Sequence, residues 1–287
     1  MKIGVFGIGL IGGSLSIQAR KHFTDSKIYG FDLSNKNLNR ALKLGLIDAI
    51  LDSNEIKNLN LILVAVPVNS VKSIVLDLFD QINKDSLIID FSSTKKEICD
   101  AISDHPKRDQ FLATHPIAGT EFSGPDSAFE NLFHNKIQIL CETNKTRKSL
   151  LEFAIKWFLK IGMKIREINP IEHDLQVAYV SHLSHISSFM LGKTVIEKSK
   201  NETTILNLAG SGFESTVRLA KSSPDMWVPI FKQNRSNVIE TLSQYIDNLN
   251  KFKNLVDECK YEEIYDQMKS INSIRKILDG LTNSGKT

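Results

Sequence analysis

The sequence has few cysteines and no excess of charge of one sign. Its three cysteines, at positions 99, 141 and 259, stand far apart and form no CxxC pair. This argues against a disulfide framework and against a zinc site, and it favours reduced thiols in a reducing compartment. The 36 Lys and Arg are spread among 33 Asp and Glu, and the net charge is only +3. We therefore expect no metal and no nucleic-acid partner.

Long hydrophobic runs are also missing. The amino-terminal stretch MKIGVFGIGLIGGSL is apolar enough to resemble a signal peptide, but it contains five glycines, which a phosphate-binding turn explains better. The stretch LILVAVPV (61–68) is far too short to cross a bilayer. These features predict a cytoplasmic protein without a membrane segment.

Short apolar runs alternate with helical patterns over about the first 165 residues. The runs are continuously apolar, as in strands that a parallel sheet buries on both faces. Strand–helix alternation of this kind predicts a doubly wound α/β domain. Predicted strands are 2–6, 27–32, 60–66, 86–90, 110–114 and 136–141, and predicted helices include 11–22, 69–82 and 145–161.

Helical periodicity dominates the rest of the chain. Residues 171–199 can form one helix of about 28 residues, and further helical pattern follows at 224–257 and 260–281. We therefore predict an N-terminal Rossmann domain over 1–168 and an all-helical domain over 169–287. A long helix that leaves a nucleotide domain often serves as a dimer scaffold.

A glycine-rich turn directly follows the first predicted strand. Gly7, Gly9 and Gly12 are in G-x-G-x-x-G register, which allows a tight turn, close approach of pyrophosphate and close helix packing. Asp32 ends the second strand at the spacing of an acid that binds the adenine ribose, and no Arg follows it at once, so NAD is favoured over NADP. The predicted cofactor-binding residues are Gly7, Gly9, Leu10, Ile11, Gly12, Asp32, Val66, Pro67 and Ser92.

Polar residues follow the next strands at the same edge of the predicted sheet. Ser92, Ser93 and Thr94 either cap the next helix or lie beside the cofactor. His115 ends the following strand and enters the loop PIAGTE. A histidine there can accept a proton near neutral pH, although a lone histidine is more often a merely polar residue.

The second half of the chain offers groups for an anionic substrate. His182 and His185 are i, i+3 neighbours on the long helix, beside Ser181. They can be zinc ligands, donors to an anion or structural residues of a bundle, and no further ligand at a suitable spacing supports zinc. Arg218 can grip a carboxylate, although a surface salt bridge is the commoner role. On these residues alone the protein is an NAD-dependent dehydrogenase of a carboxylate-bearing alcohol.

The order and spacing of several motifs resemble those of prephenate dehydrogenases along nearly the whole chain. The motifs are GIGLIGGSL, Asp32, DFSSTK, HPIAGTEFSG, EHD…SHLSH and GFESTVRLAKSSPDMW. The resemblance implies a Rossmann domain and a helical dimerisation domain with the active site between them. It also implies a homodimer that oxidises and decarboxylates prephenate with NAD in tyrosine biosynthesis, as a monofunctional enzyme.

The resemblance also implies roles by position. His115 matches the catalytic histidine, and Ser93 the serine that orients it and the substrate hydroxyl. Arg218 matches the arginine that holds a substrate carboxylate. The other implied substrate-site residues are Glu121, His173, Ser181, His182 and His185.

Two positions depart from the family pattern. Ser184 replaces the proline of SHLPH, which changes the helix slightly, and Glu214 and Ser215 replace the Arg and Asp of GFRDxTR. An arogenate-preferring or dual-specificity enzyme, a non-catalytic NAD sensor and a β-hydroxyacid dehydrogenase remain as alternatives. The last usually has a catalytic lysine on the interdomain helix, where this chain has Ser181, His182 and His185.

Overall fold

The structure is a computed structural model that describes residues 1–199 and 205–283. Its sheet has eight strands in the spatial order β3-β2-β1-β4-β5-β6-β7-β8. The first six follow the order of a Rossmann sheet. The strands are β1 (Lys2–Phe6), β2 (Lys27–Phe31), β3 (Ala49–Ile50), β4 (Leu61–Val64), β5 (Leu87–Asp90), β6 (Phe111–Pro116), β7 (Ile137–Cys141) and β8 (Lys164–Glu167).

The central strand β1 pairs in parallel with both β2 and β4. The strand order therefore reverses at β1, and a crevice opens beyond the carboxyl ends of β1 and β4. In open α/β sheets, ligands bind at such a point.

The far side of the sheet is not wholly parallel, contrary to the sequence prediction. Strand β7 runs antiparallel to β6, with His115 opposite Ile139. The segment between these strands contains only short 3₁₀ turns, so no helix returns the chain to the opposite edge before β7 begins. The two-residue β3 and the mostly exposed β8 were not among the predicted strands.

Both faces of the sheet are buried. Successive residues of one strand enter opposite cores: Leu61 and Leu63 join one cluster, and Ile62 and Val64 join the other. This explains the continuous apolar runs in the sequence.

The helices agree closely with the sequence prediction. The predicted helices 11–22, 69–82 and 145–161 correspond to the first, third and fifth observed ones. The helices are α1 (Leu10–His22), α2 (Asn35–Lys43), α3 (Val68–Gln81), α4 (Lys96–Ala101), α5 (Lys148–Ile161), α6 (Pro170–Val177), α7 (Leu183–Ser199), α8 (Ser211–Val217), α9 (Pro224–Gln233), α10 (Arg235–Asp257), α11 (Tyr261–Ile271) and α12 (Ile274–Asn283).

The long predicted helix 171–199 is interrupted in hydrogen-bonding pattern. Between α6 and α7 the residues Ala178–His182 form a π turn. Such turns insert an extra residue into a helix and are frequent at functional sites. The predicted helical pattern at 224–257 is likewise divided, because α9 ends at Gln233 and α10 begins at Arg235.

The chain forms two compact units, Met1–Arg235 and the remainder from Ser236 onward. The sequence division at 168/169 follows the change from strands to helices and stays a prediction. Residues 200–204 and 284–287 of that predicted domain lie outside the described residues. Within the described ranges, no helix has both the length and the hydropathy that crossing a membrane requires.

Candidate active site

The turn between β1 and α1 requires glycine at two positions. Gly7 has a φ of +87°, and a Cβ there would lie 2.5 Å from the carbonyl oxygen of Ala65. A Cβ on Gly12 would lie 1.9 Å from the carbonyl oxygen of Gly7. By contrast, a Cβ on Gly9 would meet nothing within 4 Å. The backbone at Gly9 is therefore open to a ligand.

The first turn of α1 is suited to an anion. It begins at Leu10 and Ile11, has no acidic residue, and no side chain caps it. Its amide groups and helix dipole are thus available to a phosphate. These features fit the pyrophosphate of a dinucleotide.

Asp32 lies directly after β2 and is tied to this turn. Its Oδ2 accepts a hydrogen bond from the amide of Ile8 at 2.9 Å, and its Oδ1 accepts one from the amide of Ser34 at 2.8 Å. The side chain is half-buried. A carboxylate is therefore held at the carboxyl edge of the sheet, where it remains accessible to a ribose.

Val66 and Pro67 join β4 to α3 on the other side of the crevice. Val66 is half-buried and packs against the core, whereas Pro67 is exposed and caps α3. Both therefore follow β4 at the edge where Gly7 follows β1.

The loop after β5 contains a buried ion pair that the sequence analysis did not identify. Lys95 is 0% exposed, and its ammonium group pairs with Asp90 and donates to the carbonyl of Thr114 at 2.6 Å. The hydroxyl of Ser92 lies 3.0 Å from Asp90 Oδ2 and from Lys95 Nζ. The hydroxyl of Ser92 is thus turned towards this pair, while Ser93 is half-buried. Removing one partner of such a pair usually costs about 3–5 kcal/mol.

His115 is the last residue but one of β6, and its side chain is half-buried. Its Nδ1 lies 2.9 Å from Nε2 of His173. Burial, together with the nearby His173, Lys95 and His182, holds the pKa of His115 well below 6.5. The imidazole is therefore neutral at physiological pH, as a general base must be.

His173 connects His115 to a carboxylate. It is 0% exposed, and its Nδ1 lies 2.7 Å from Asp174 Oδ1. Asp174 also accepts hydrogen bonds from the amides of Lys95 and Lys96, at 2.8 and 3.0 Å. Burial lowers the pKa of His173, and Asp174 partly offsets this. Asp174 was absent from the predicted site, although it directly follows His173 in the motif EHD.

His182 is almost completely buried at the end of the π turn. Its Nδ1 lies 3.2 Å from Nδ2 of Asn234, which also donates to the carbonyl of Asp174 at 2.6 Å. Burial lowers the pKa of His182 to about 4. It is therefore a neutral residue of the interior.

His185 is more accessible than His182. Its ring stacks on Trp227 with centroids 3.6 Å apart, and its Nδ1 donates to the carbonyl of Ser181 at 3.0 Å. The ring of His182 meets the same Trp227 edge-on at 5.7 Å. The two histidines thus face one side of the helix, as their spacing predicts. Burial lowers the pKa of His185, so its neutral ring carries a lone pair on Nε2.

Arg218 and Glu121 meet across 97 positions of the sequence. Nη1 of Arg218 donates to Oε2 of Glu121 at 3.0 Å, and the Arg218 side chain is half exposed. The pKa of Glu121 is lowered by its own backbone amide and by Arg218. The pair joins the loop after β6 to the turn after α8, and it leaves other guanidinium donors available.

Sequence models of one family match most of the chain. Residues 15–167 match the prephenate dehydrogenase nucleotide-binding domain, and residues 169–270 match the prephenate dehydrogenase dimerization domain. The first match begins just after the glycine turn, so the turn and the family match support each other independently.

Individual relatives agree with this result. The chain is 32% identical to prephenate dehydrogenase of Bacillus subtilis over 96% of this chain and 74% of that protein. It is 26% identical to cyclohexadienyl dehydrogenase of Zymomonas mobilis, over 96% and 95% of the two chains. A crystal structure of prephenate dehydrogenase from A. aeolicus, in complex with hydroxyphenyl propionate and NAD+, superposes with a TM-score of 0.89 at 29% identity and covers 97% of this chain and 98% of that one.

The sheet order, the glycine turn and the polar residues at the carboxyl edge define a Rossmann-type dinucleotide-dependent oxidoreductase. With the matches over both halves, the chain belongs to the prephenate dehydrogenase family, whose members are NAD-dependent oxidoreductases.

Proposed function

We propose that the protein catalyses the NAD-dependent oxidative decarboxylation of prephenate to 4-hydroxyphenylpyruvate, a step of tyrosine biosynthesis. The observation that carries the proposal is the state of His115. It is neutral, its Nδ1 is engaged by His173, and its Nε2 has no hydrogen-bond partner among the described residues. Such a nitrogen can accept a proton.

The chemistry requires one proton acceptor and precise orientation. Prephenate has a ring hydroxyl opposite a quaternary carbon that bears a carboxylate. His115 accepts the hydroxyl proton as hydride leaves the same carbon, and loss of carbon dioxide then makes the ring aromatic. A positioned base contributes about 10²–10⁴-fold, and orientation contributes much of the rest.

Other residues of the predicted site have supporting roles in this proposal. Ser93 orients the hydroxyl, and Arg218 binds the side-chain carboxylate with the donors that Glu121 leaves. His185 contacts the substrate through Nε2, and His173 supports His115. Ser181 and His182 act indirectly, because the carbonyl of Ser181 fixes the ring of His185 and His182 packs on Trp227.

The cofactor site fits NAD. When bound, NAD supplies the hydride acceptor. Gly7, Gly9 and Gly12 leave room for the pyrophosphate, and Leu10 and Ile11 supply first-turn amides. Asp32 would bind the ribose hydroxyls and repel a 2′-phosphate. Val66 and Pro67 would line the nicotinamide side, and Ser92, whose hydroxyl is turned towards Asp90 and Lys95, would support that side from the interior.

The relatives keep one alternative within the family. A cyclohexadienyl dehydrogenase matches over nearly the full length of both chains. Arogenate, which differs from prephenate in its side chain, would use the same ring chemistry. We further propose a homodimer, because residues 169–270 match a dimerization domain, and a cytoplasmic location.

The proposal is tested by NADH formation with purified protein, NAD and prephenate, for the wild type and for His115→Asn. We expect the variant to lose about 10²–10⁴-fold in kcat, because the proton acceptor is removed. NAD affinity, measured by calorimetry, should be nearly unchanged. Turnover that is the same in both proteins would contradict the role of His115.

A further inference from the structure

A continuous line of hydrogen bonds leads from a helix cap to His115. The amides of Lys95 and Lys96 donate to Asp174, Asp174 contacts His173, and His173 contacts His115. The first and last steps join different elements or loops, whereas His173 and Asp174 are neighbours on α6. The proposed function gives His115 the chemistry and His173 an unspecified supporting role, and it gives Asp174 none.

The direction of the first contact follows from the donors around Asp174. Its Oδ1 accepts from the amide of Lys95, and its Oδ2 accepts from the amide of Lys96. An ionised carboxylate has acceptors only. Nδ1 of His173, 2.7 Å from Oδ1, must therefore be the donor.

The second contact then has a single direction as well. Burial lowers the pKa of His173, so the ring is neutral and has one proton, which lies on Nδ1. Its Nε2 is an acceptor, and the nitrogen 2.9 Å away, Nδ1 of His115, must donate to it. His115 is neutral too, so its Nε2 is left with a lone pair.

We propose that His173 and Asp174 are positioning residues that fix the tautomer of His115, with the proton on Nδ1 and the lone pair on Nε2. The inference rests on the proposed function of His115 as the proton acceptor. The opposite tautomer would present an N–H to the substrate hydroxyl and could not accept its proton. A wrong histidine tautomer can cost about 10⁴-fold in the serine-protease triad.

The charges around this line favour the same state. Lys95 disfavours protonation of both His115 and His173, and His182 disfavours protonation of His115. Asp174 and Asp90 act in the opposite direction on His173. The buried Lys95 thus contributes twice, because its amide also anchors Asp174.

The tautomer can be read directly by long-range ¹H–¹⁵N NMR of the full chain with labelled histidines. Spectra are recorded well above the ordinary histidine pKa of about 6.5. The protein has seven histidines, and His115→Asn assigns the signal. Two others are internal references: His185 donates from Nδ1 to Ser181, and His105 accepts at Nδ1 from the amide of Lys107.

We expect His115 to match His185, with a protonated Nδ1 and a bare Nε2. A wild-type His115 that matches His105 instead, with the proton on Nε2, would overturn the inference. The spectrum is that of the wild-type protein without substrate, and His115→Asn serves only to assign the signal, so it decides the matter even if His173→Phe fails to fold.

The positioning role of His173 is tested with His173→Phe, which keeps an aromatic ring but removes the nitrogen that accepts from His115. The Nδ1–H of His115 would then lack a partner, so the proton should move towards Nε2, and kcat should fall by about 10²-fold or more. His105→Phe is the matched control and should change neither value. An unchanged His115 signal and kcat in His173→Phe would contradict the inference.

The two proposals fail differently. If prephenate is not turned over but His115 has its proton on Nδ1, the proposed function is wrong and the tautomer assignment stands. If turnover depends on His115 but its proton lies on Nε2, the positioning role proposed for His173 and Asp174 is wrong and the proposed function stands.

Discussion

Two aspartates in this molecule are anchored in the same way but placed in different surroundings. Asp32 accepts amide hydrogen bonds from Ile8 and Ser34, and Asp174 accepts them from Lys95 and Lys96. Asp32 is half-buried, whereas Asp174 is 4% exposed and also accepts a hydrogen bond from Nδ1 of His173. An anchored carboxylate at the surface is available to a ligand. In the interior, the same kind of anchored carboxylate fixes on which ring nitrogen a neighbouring histidine carries its proton.

The largest difference should appear when both aspartates receive the same substitution. In Asp174→Asn an amide N–H must face a buried backbone N–H, so we expect the free energy of unfolding to fall by about 3 kcal/mol. In Asp32→Asn water can relieve the conflict, and the loss should be below about 1 kcal/mol. Urea unfolding of the two variants measures this, and equal losses would remove the distinction between the anchors.

The buried histidines beside Asp174 should make the free energy of unfolding fall in acid. The folded pKa of His182 is about 4, and its unfolded value is about 6.5. The unfolded chain therefore takes up the proton first, so the stabilising contribution is complete above pH 6.5 and is lost as the pH falls towards 4. His182 alone should account for about 3 kcal/mol at pH 4, and His115 and His173 act in the same direction.

Urea unfolding at several pH values checks this prediction. His182→Gln should remove about 3 kcal/mol of the loss between pH 7 and pH 4, since it has no titrating ring. A variant with the full acid dependence of the wild type would show that His182 is not a neutral interior residue.

Much of the fold follows from local signals in the sequence. The strands are continuously apolar because both faces are buried. The glycine turn directly follows β1 in a recognisable spacing, although the contact that requires Gly7 comes from Ala65, after β4. The strand at 136–141 was predicted, but its antiparallel direction was missed, because nothing in the sequence before it indicates whether the chain crosses to the opposite edge of the sheet. The short edge strands β3 and β8 bury little and give little signal.

Candidate site residues could be named from the sequence where a residue type has its own chemistry, as for His115 and Arg218, and their roles stay predictions. Asp174 and Lys95 were missed because their importance lies in contacts made across the fold. The two are 79 positions apart, and the amide of one meets the carboxylate of the other only in the folded protein. His182 has the right spacing for a substrate ligand, but the packing of Trp227 and Asn234 buries it.

The smallest expected effect concerns the exposed anchor and its ligand. Asp32→Asn removes the charge that we propose to hydrogen-bond the ribose and to repel a 2′-phosphate, so NAD affinity should fall by about 10- to 100-fold. The preference for NAD over NADP should fall with it, while kcat at saturating NAD changes little. Binding by calorimetry with both cofactors measures this, and an unaltered preference would remove Asp32 from the cofactor site.

The measurement that tests the central claim most directly is kcat/KM with NAD for prephenate and for arogenate, determined side by side. We predict rapid NADH formation with prephenate and a lower value with arogenate. A signal with arogenate alone would keep the ring chemistry and contradict the substrate. Silence with both substrates, in a protein that binds NAD, would contradict the catalytic role given to His115.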